Sequence, residues 1–368
     1  MGGVRRWWAA LLLVLVVATS CGSASPSSGV APVQNGPLAV SVAGNRLVDQ
    51  HGRTVVPRGV NRSGTQYACT SGPGTFDGPT DQPAIDAMRS WEISAVRVSL
   101  NEQCWLGING LPVGGDAGGY RRAVTDFVNR LTASGLVVIV DLHWNAPGTQ
   151  QARGQQKMPD RDHAPAFWQS VATTFAPNRA VLFDVYNEPW PATEDVTQPA
   201  SDVAWACVRD GGNCPGVGFT AAGSQELVNA VRSTGAVNPI LVGGPQFAGV
   251  LDKWLTYRPD DPRHQLVASI HIYGPPPNET ACTPKACWDA TIAPVAKVVP
   301  VVIGEMGNMD CRSSLVDPLM DWADQHGIGY LAWGWVTSDC ASEPALISNY
   351  NGTPTPYGAA VRRHLAKQ

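Results

Sequence analysis

The stretch VLFDVYNEPW, residues 181–190, begins as an apolar run and ends in polar and aromatic side chains. Its first half suits a strand that is buried on both faces, because apolar side chains occupy successive positions. Its second half places Glu188 after Asn187 and before Pro189. Pro189 lacks a backbone donor and biases the preceding residue toward extended geometry. The stretch therefore predicts a core strand that ends at Glu188, where a cleft begins.

Seven further runs rich in β-branched residues recur along the chain, at 55–61, 94–100, 136–144, 239–244, 267–273, 299–305 and 330–335. The segments between them show helical spacing, most clearly at 120–135. Strands that are apolar on both faces and alternate with helices predict a parallel sheet covered by helices. Eight such units predict an α/β protein with a (β/α)8 TIM barrel, after a short N-terminal β-hairpin at 38–49. An open doubly wound sheet is the alternative, although the sequence lacks the glycine-rich phosphate turn that usually marks it.

Residues 1–21 have the order of an export signal: two arginines, the apolar run AALLLVLVVA, and small residues up to Cys21. A cysteine directly after small residues resembles a bacterial lipobox, which implies lipidation of Cys21; an ordinary cleaved signal peptide is the alternative. Residues 22–37 are small, polar and proline-containing, and they predict a flexible tether before a domain at 38–368. We therefore expect an exported bacterial protein, either extracellular or a cell-surface lipoprotein.

The formal net charge is −4, and no block of like charge occurs. This pattern argues against nucleic-acid binding and against a polybasic membrane-surface role. Membrane contact is expected only through a lipid on Cys21, and we expect a monomer.

Nine cysteines are present, and eight remain when Cys21 is set aside. An even number suits disulfide bonds in an oxidising compartment, although eight cysteines allow about a hundred connectivities. Proximity along the chain favours the pairs Cys69–Cys104, Cys207–Cys214, Cys282–Cys287 and Cys311–Cys340. Metal binding is the alternative, but no CxxC pair with a matching partner occurs. We expect neither a metal nor another cofactor.

In a (β/α)8 barrel, functional side chains lie at the carboxyl ends of the strands. The polar and aromatic residues that fall there are Asn61, Arg97, His143, Trp144, Asn187, Glu188, His271, Tyr273, Glu305, Trp333 and Trp335. Glu188 and Glu305 each close an apolar run, so a barrel can direct both across one mouth. Glycoside hydrolysis needs such a pair: one acid protonates the leaving oxygen, and the other attacks the anomeric carbon or activates water. Carboxyl groups about 5–5.5 Å apart give retention and about 6.5–9.5 Å give inversion, and sequence does not supply that distance.

The motifs RGVN, RVSL, DLHW, VYNEPW, SIHIY, VIGEMG and YLAWGW, in this order, resemble glycoside hydrolase family 5. This is the cellulase family, within the clan of retaining (β/α)8 glycosidases, and the resemblance covers about residues 38–365. It implies that 38–368 is a catalytic domain, in which Glu188 is the acid/base and Glu305 the nucleophile. The resemblance also implies that Asn187 holds the sugar 2-hydroxyl and that Arg97 and Tyr273 lie beside Glu305. It further implies that His143 and His271 line the subsite of the cleaved sugar, where the Trp333 ring stacks on that sugar.

Some positions stay open. Trp335 comes two residues after Trp333 and would face the same way on a strand, so either could be the sugar platform, and Trp333 is favoured. Asn61 and Trp144 are candidates for substrate binding only through their places at strand ends.

We expect a retaining, endoglucanase-like hydrolase of β-1,4-glucan, with a β-glycan polysaccharide or oligosaccharide as its partner. A β-mannanase or an exo-acting β-glucosidase is the nearest alternative, because the motifs leave the long loops at 145–163 and 189–218 unassigned. A cell-surface glycan-binding protein without catalysis is the alternative from another class. The complete set of Arg97, Asn187, Glu188, Tyr273 and Glu305 argues against it.

Overall fold

The computed structural model describes residues 1–3, 37–72, 74–111, 116–191, 199–274, 280–340 and 342–367. Pro37–Gln368 forms one compact unit. The predicted export signal beyond residue 3, Cys21 and the predicted tether up to residue 36 lie outside the described residues. Within the part of the chain that is described, no helix is both long and apolar enough to cross a membrane.

Eight parallel strands close into a barrel, as the eight apolar runs predict. In chain order they are Arg58–Arg62 (β1), Ala95–Asn101 (β2), Val137–Trp144 (β3), Val181–Asp184 (β4), Ile240–Gly243 (β5), Leu266–Gly274 (β6), Val301–Asn308 (β7) and Gly329–Ala332 (β8). Each strand pairs with its neighbours in chain order, and Tyr330 of β8 lies opposite Arg58 of β1 to close the ring. The predicted (β/α)8 barrel is confirmed.

The strands are covered on both faces. Ile139, Leu182 and Val302 belong to a buried cluster inside the barrel. Neighbouring positions such as Val138 and Val140 belong to a larger cluster that includes the helices. This double burial explains why successive residues of the strands are apolar.

Helices connect the strands and cover the barrel. The longer ones are Gln82–Arg89, Ala117–Ala133, Ala164–Phe175, Asp202–Asp210, Ser224–Ser233, Val316–His326 and Pro356–Leu365. Short helices span Ala68–Ser71, Glu102–Leu106 and Trp254–Tyr257, whereas Pro245–Ala248 forms a turn with left-handed backbone angles. The helix predicted at 120–135 begins after Asp116, whose carboxylate accepts the first backbone N–H groups. The helical segment before β7 is divided into Lys285–Cys287, a π-helical turn Trp288–Ile292, and Ala293–Ala296, since Pro294 has no N–H to continue an α-helix.

The predicted N-terminal hairpin is present, and a third strand extends it. Ser41–Ala43, Arg46–Val48 and Thr54–Val55 form an antiparallel sheet. The run predicted at 55–61 is therefore split between this sheet and β1, because Pro57 cannot donate to a ladder. Leu47 belongs to the cluster inside the barrel, so the sheet covers the amino ends of the strands. Two further short antiparallel pairs are Gly211–Gly212 with Ala221–Ala222, and Ile347–Asn349 with Thr353–Pro354.

All four predicted disulfide bonds are formed: Cys69–Cys104, Cys207–Cys214, Cys282–Cys287 and Cys311–Cys340. Their Cα atoms are 5.3–6.3 Å apart, within the usual range for a disulfide. The bond between Cys311 and Cys340 joins the segments that follow β7 and β8, so it ties together two sides of the barrel mouth.

A buried pair of carboxyl groups anchors the long loop at 145–163. Glu102, directly after β2, accepts a hydrogen bond from the backbone N–H of Ala146 at 2.7 Å. Asp160 accepts from the Asn145 side chain at 2.8 Å and from the His163 backbone at 2.8 Å. Both ends of the loop are thereby attached to the two carboxyl groups, which have no exposed surface.

Glu102 and Asp160 hold a proton at higher pH than ordinary carboxyl groups. Burial raises the pKa of Glu102 well above its ordinary value of 4.5, and the negative charge of Asp160 adds to the effect. Burial also raises the pKa of Asp160. Two buried carboxyl groups in contact avoid repulsion by sharing one proton. The loop is therefore held by an acid pair whose protonation contributes to folding.

This pair makes stability depend on pH. Because Glu102 binds its proton more tightly in the folded chain than in the unfolded chain, the free energy of unfolding falls as the pH rises above 4.5. Glu102→Gln keeps the shape, supplies an N–H for Asp160 and does not titrate. Denaturant unfolding at pH 5 and pH 8 should show the variant gaining stability relative to the wild type at pH 8, on the order of 1 kcal/mol.

The matched control is Glu92→Gln, because Glu92 is exposed and its replacement should leave the pH dependence unchanged. An equal fall in stability for wild type and Glu102→Gln between the two pH values would show that the pair does not share a proton.

Candidate active site

A cleft of about 460 Å³ lies at the carboxyl ends of the barrel strands. Its lining residues come from β3, β6 and β7 and from the segments that follow β3 to β8: His143, Gln155, Asn187, Glu188, Gln246, Phe247, Tyr273, Thr280, Ala281, Glu305, Met309, Trp333, Ser342, Glu343 and Pro344. Both acids predicted from the sequence are among them. The volume is in the usual range for a small-molecule or oligosaccharide site.

Glu188 and Glu305 face each other across this cleft. His271 lies between them, with its Nδ1 2.9 Å from Glu188 Oε1 and 3.7 Å from Glu305 Oε2. One carboxylate oxygen of each glutamate lies within 4.8 Å of the other. This short separation is compatible with the spacing of about 5–5.5 Å that is found where one carboxylate attacks a sugar directly.

Glu305 is held by two strong donors. Arg97 Nη1 lies 2.6 Å from its Oε1, and the Tyr273 hydroxyl donates to its Oε2 at 2.8 Å. The two contacts engage both carboxylate oxygens and fix their orientation. Burial and the nearby glutamates raise the pKa of Tyr273 well above its ordinary value, so the hydroxyl stays protonated and keeps donating. The arrangement presents an oriented carboxylate to the cleft.

Glu188 has a different environment. Burial raises the pKa of Glu188, while the hydrogen bond from Gln155 opposes that shift. Gln155 Nε2 lies 3.0 Å from Glu188 Oε2. Burial lowers the pKa of His271 to about 4, so the imidazole that faces Oε1 is neutral at neutral pH. Glu188 is therefore the carboxyl group suited to carry a proton, which gives the two acids different chemistry.

Arg97 lies beneath the cleft and contacts several of the polar side chains of the site. Its guanidinium is fully buried and makes hydrogen bonds or ion pairs of 2.6–3.1 Å with side chains of β1, β3, β7 and the β4 region: Asn61, Asp141, Asp184, Asn187 and Glu305. Burial and the charge of Asp141 raise the pKa of Asp184 to about 7, against the opposing effect of Arg97. A proton on Asp184 reduces the excess of negative charge around the single guanidinium.

An aromatic wall lies beside the two acids. Trp333 stacks on His143 with ring centroids 5.5 Å apart and planes at 22°. The Trp333 Nε1–H donates to Glu343 Oε2 at 2.8 Å, and Asp141 Oδ2 lies 2.7 Å from His143 Nδ1. These contacts leave the Trp333 ring with a fixed orientation in the cleft.

A second aromatic pair includes another lining residue of the cleft, Phe247. Phe247 follows β5 and stacks on Trp190, with centroids 4.7 Å apart and planes at 20°. Gln246, Phe247 and Ala248 all have left-handed backbone angles, with φ of 56°, 60° and 56°. The Phe247 N–H donates to the carbonyl of Pro189 at 3.0 Å. This unusual turn places the Phe247 ring in the cleft.

Five of the residues predicted from strand ends are not among those that line the cleft: Asn61, Arg97, Trp144, His271 and Trp335. Arg97 and His271 nevertheless contact the two acids directly. Asn61 is fully buried below it and bonds Arg97 and the Gly304 carbonyl. Trp144 is half-buried and lies near Tyr67.

Trp335 is a correction to the predicted sugar-binding set. It has no exposed surface and packs edge-on against Trp91, with centroids 4.9 Å apart. The alternation expected on a strand does not extend to it, because β8 ends at Ala332. Of the two tryptophans left open by the sequence, Trp333 is the one in the cleft.

Some residues of the site were missed in the sequence. Asp141 and Asp184 had a usable signal, because each is an acid inside an apolar run and a buried arginine requires such partners. Gln155, Phe247 and Glu343 had none, because loop conformation alone brings them to the cleft.

Comparison with known proteins identifies a matching family and several relatives. Residues 48–339 match the family model described as Cellulase (glycosyl hydrolase family 5). Endoglucanase E-5 of Thermobifida fusca is 25% identical over 224 residues, which cover 60% of this chain and 39% of that protein. A mannan endo-1,4-β-mannosidase of Streptomyces lividans is 23% identical over 321 residues, which cover 85% of this chain and 69% of that protein. The chain therefore spans well under half the length of the first of these relatives.

Solved structures share the fold. A β-glucanase of Saccharophagus degradans in complex with cellotetraose superposes with a TM-score of 0.67 at 16% identity, over 90% of this chain and 94% of the other. The catalytic domain of a mannanase from Streptomyces sp. SirexAA-E superposes with a TM-score of 0.60 at 21% identity, over 90% and 91%. Since the family match also extends over most of the barrel, this chain belongs to glycosyl hydrolase family 5, the cellulase family.

Proposed function

We propose that this protein is a glycosidase that hydrolyses β-1,4-linked glucan with retention of configuration, with Glu305 as nucleophile and Glu188 as acid/base. The observation that carries the proposal is the pair of carboxyl groups in one cleft, with oxygens within 4.8 Å of each other and unlike surroundings. Double displacement needs this short spacing, and it needs one charged and one protonated acid.

In the first step, a carboxylate oxygen of Glu305 bonds to the anomeric carbon as the glycosidic C–O bond breaks. Glu188 gives its proton to the leaving oxygen, so the departing sugar leaves as a neutral alcohol. Arg97 and Tyr273 hold Glu305 in line for the attack through contacts of 2.6 and 2.8 Å. The product of this step is a glycosyl ester of Glu305 and an ionised Glu188.

In the second step, Glu188 takes a proton from water as the water oxygen attacks the anomeric carbon. The bond to Glu305 breaks, which restores its carboxylate, and the sugar regains its original configuration. Loss of the negative charge on Glu305 in the intermediate removes repulsion from Glu188, which lets the same group act first as acid and then as base.

The aromatic wall supports a β-linked sugar as substrate. The Trp333 ring, held by His143 and Glu343, offers a flat face to the apolar C–H face of a pyranose. Asn187 lies beside Glu188, with its Oδ1 accepting from Arg97 at 2.9 Å, and its remaining amide N–H groups suit a sugar hydroxyl.

A β-mannan is the second candidate substrate, because a mannan endo-1,4-β-mannosidase aligns with 85% of this chain. Cellopentaose and mannopentaose, supplied separately, distinguish the two. We expect cellopentaose to be cleaved at internal bonds, with kcat/KM at least about 10-fold above that for mannopentaose, a difference of about 1.4 kcal/mol in transition-state binding.

Product sizes separate the remaining alternatives. Release of single glucose units would indicate an exo-acting β-glucosidase, and a reversed preference would assign the enzyme to mannan. Binding of both oligosaccharides without turnover would support a glycan-binding protein.

Export and anchoring belong to the same proposal. We expect lipidation of Cys21, on the basis of the apolar run and small residues that precede it. Cys21→Ser should move the protein from the membrane fraction to the soluble fraction without changing activity per mole. An unchanged distribution would favour an ordinary cleaved signal peptide.

Substitution of each acid tests the mechanism. Glu305→Ala and Glu188→Ala should each lower kcat on cellopentaose by at least about 10³-fold. With an aryl cellobioside that has a good leaving group, azide should restore turnover of Glu305→Ala and give a glycosyl azide of inverted configuration. The azide formed by Glu188→Ala should retain the configuration, because azide then attacks the glycosyl ester of Glu305.

Glu226→Ala is the control, since Glu226 lies on the surface and pairs with Arg161. Wild-type activity in either active-site variant would contradict the assignment.

A further inference from the structure

We propose that Gln155 is a positioning residue for the acid/base, which selects the carboxyl oxygen of Glu188 that carries the proton. This inference rests on the proposed roles of Glu188 and Glu305. Gln155 Nε2 lies 3.0 Å from Glu188 Oε2 and 3.1 Å from the backbone carbonyl oxygen of Glu188. Both partners accept, and one amide nitrogen carries two hydrogens, so both bonds can exist together.

The double contact restrains the Glu188 side chain relative to its own backbone. It also occupies Oε2 with an N–H donor, and a proton on that oxygen would oppose the donor. The proton therefore belongs on Oε1, which faces the neutral His271 Nδ1 at 2.9 Å. Glu188 then enters each cycle with its acidic hydrogen on a defined oxygen.

The residues that follow Gln155 accept hydrogen bonds from residues on both sides of Glu188 in the sequence. The Tyr186 hydroxyl donates to the carbonyl of Gln156 at 2.6 Å, and the Trp190 N–H donates to the carbonyl of Lys157 at 2.9 Å. The loop that carries Gln155 is itself attached through the Glu102–Asp160 pair. Gln155 is thus held opposite Glu188 by contacts that do not involve the substrate.

The donor also affects the strength of the acid. An N–H bonded to a carboxylate stabilises the charged form, and Gln155 lowers the pKa of Glu188 against the dominant effect of burial. The other titratable groups that face Glu188 come from β2, β3, β6 and β7 and from the segment after β4: Arg97, Asp141, His143, Tyr186, His271, Tyr273 and Glu305. A substitution of Gln155 alone leaves each of these residues in the sequence.

Gln155→Met removes the donor at nearly constant length and tests the proposal. Without the N–H, the pKa of Glu188 rises, so the acid keeps its proton to higher pH. The substrate is an aryl β-cellobioside with a phenol leaving group, whose departure requires protonation by the acid. In its pH profile, the fall of kcat/KM at alkaline pH should move to higher pH. Gln155→Glu, which adds a carboxylate beside Glu188, should move this fall further in the same direction.

The rate at the optimum supplies a second readout. We expect kcat of Gln155→Met to fall by about 10-fold with little change in KM, because positioned proton transfer contributes about 10²–10⁴-fold and only its alignment is weakened. Gln156→Met is the matched control, since Gln156 is adjacent, half-buried and not a lining residue of the cleft. Thermal unfolding of each variant checks that the fold is intact.

The outcomes separate this inference from the proposed function. A wild type that hydrolyses no β-glucan or β-mannan would overturn the proposed function itself. An active wild type, with Gln155→Met losing rate equally at every pH or not at all, would overturn only the role of Gln155. If mannan is the substrate, the same series is run with aryl β-mannobiosides.

Discussion

The buried guanidinium of Arg97 is the contact on which the geometry of the active site depends. It has no exposed surface, and it bonds side chains from several strands of the barrel: Asn61, Asp141, Asp184, Asn187 and Glu305. An arginine in this position is tolerable only when its donors are matched by acceptors, so each of these partners is constrained by the others. The orientation of Glu305 is therefore a property of the closed barrel, independent of the surface loops.

The two acids of the cleft, for which we propose catalytic roles, are supported in different ways. Glu305 lies within β7 and is held by Arg97 and by Tyr273 of β6. Glu188 lies beyond the end of β4, and it depends on His271 and on a loop that follows β3. This difference fits the proposed double displacement, because only the proposed acid, Glu188, would exchange a proton twice in each cycle.

The sequence was sufficient for everything that follows from strand periodicity. Runs that are apolar on both faces require a covered parallel sheet, and residues at their carboxyl ends must share one mouth, which brings Glu188 and Glu305 together. The sequence was insufficient to predict side-chain orientation in the segments that follow the ends of the strands. Trp335 follows the end of β8, so alternation no longer decides which way its ring points. Gln155 and Phe247 reach the cleft through loop conformations that have no periodic signal.

The left-handed turn at Gln246–Ala248 has a consequence for how this protein tolerates substitutions. Each of these residues has a side chain that disfavours positive φ, at about 1–2 kcal/mol per residue. Glycine at Gln246 or Ala248 would relieve that strain and raise thermal stability, yet it would also loosen the backbone that presents the Phe247 ring beside Glu188. At this turn, a search for more heat-resistant variants and a search for more active ones would select opposite residues.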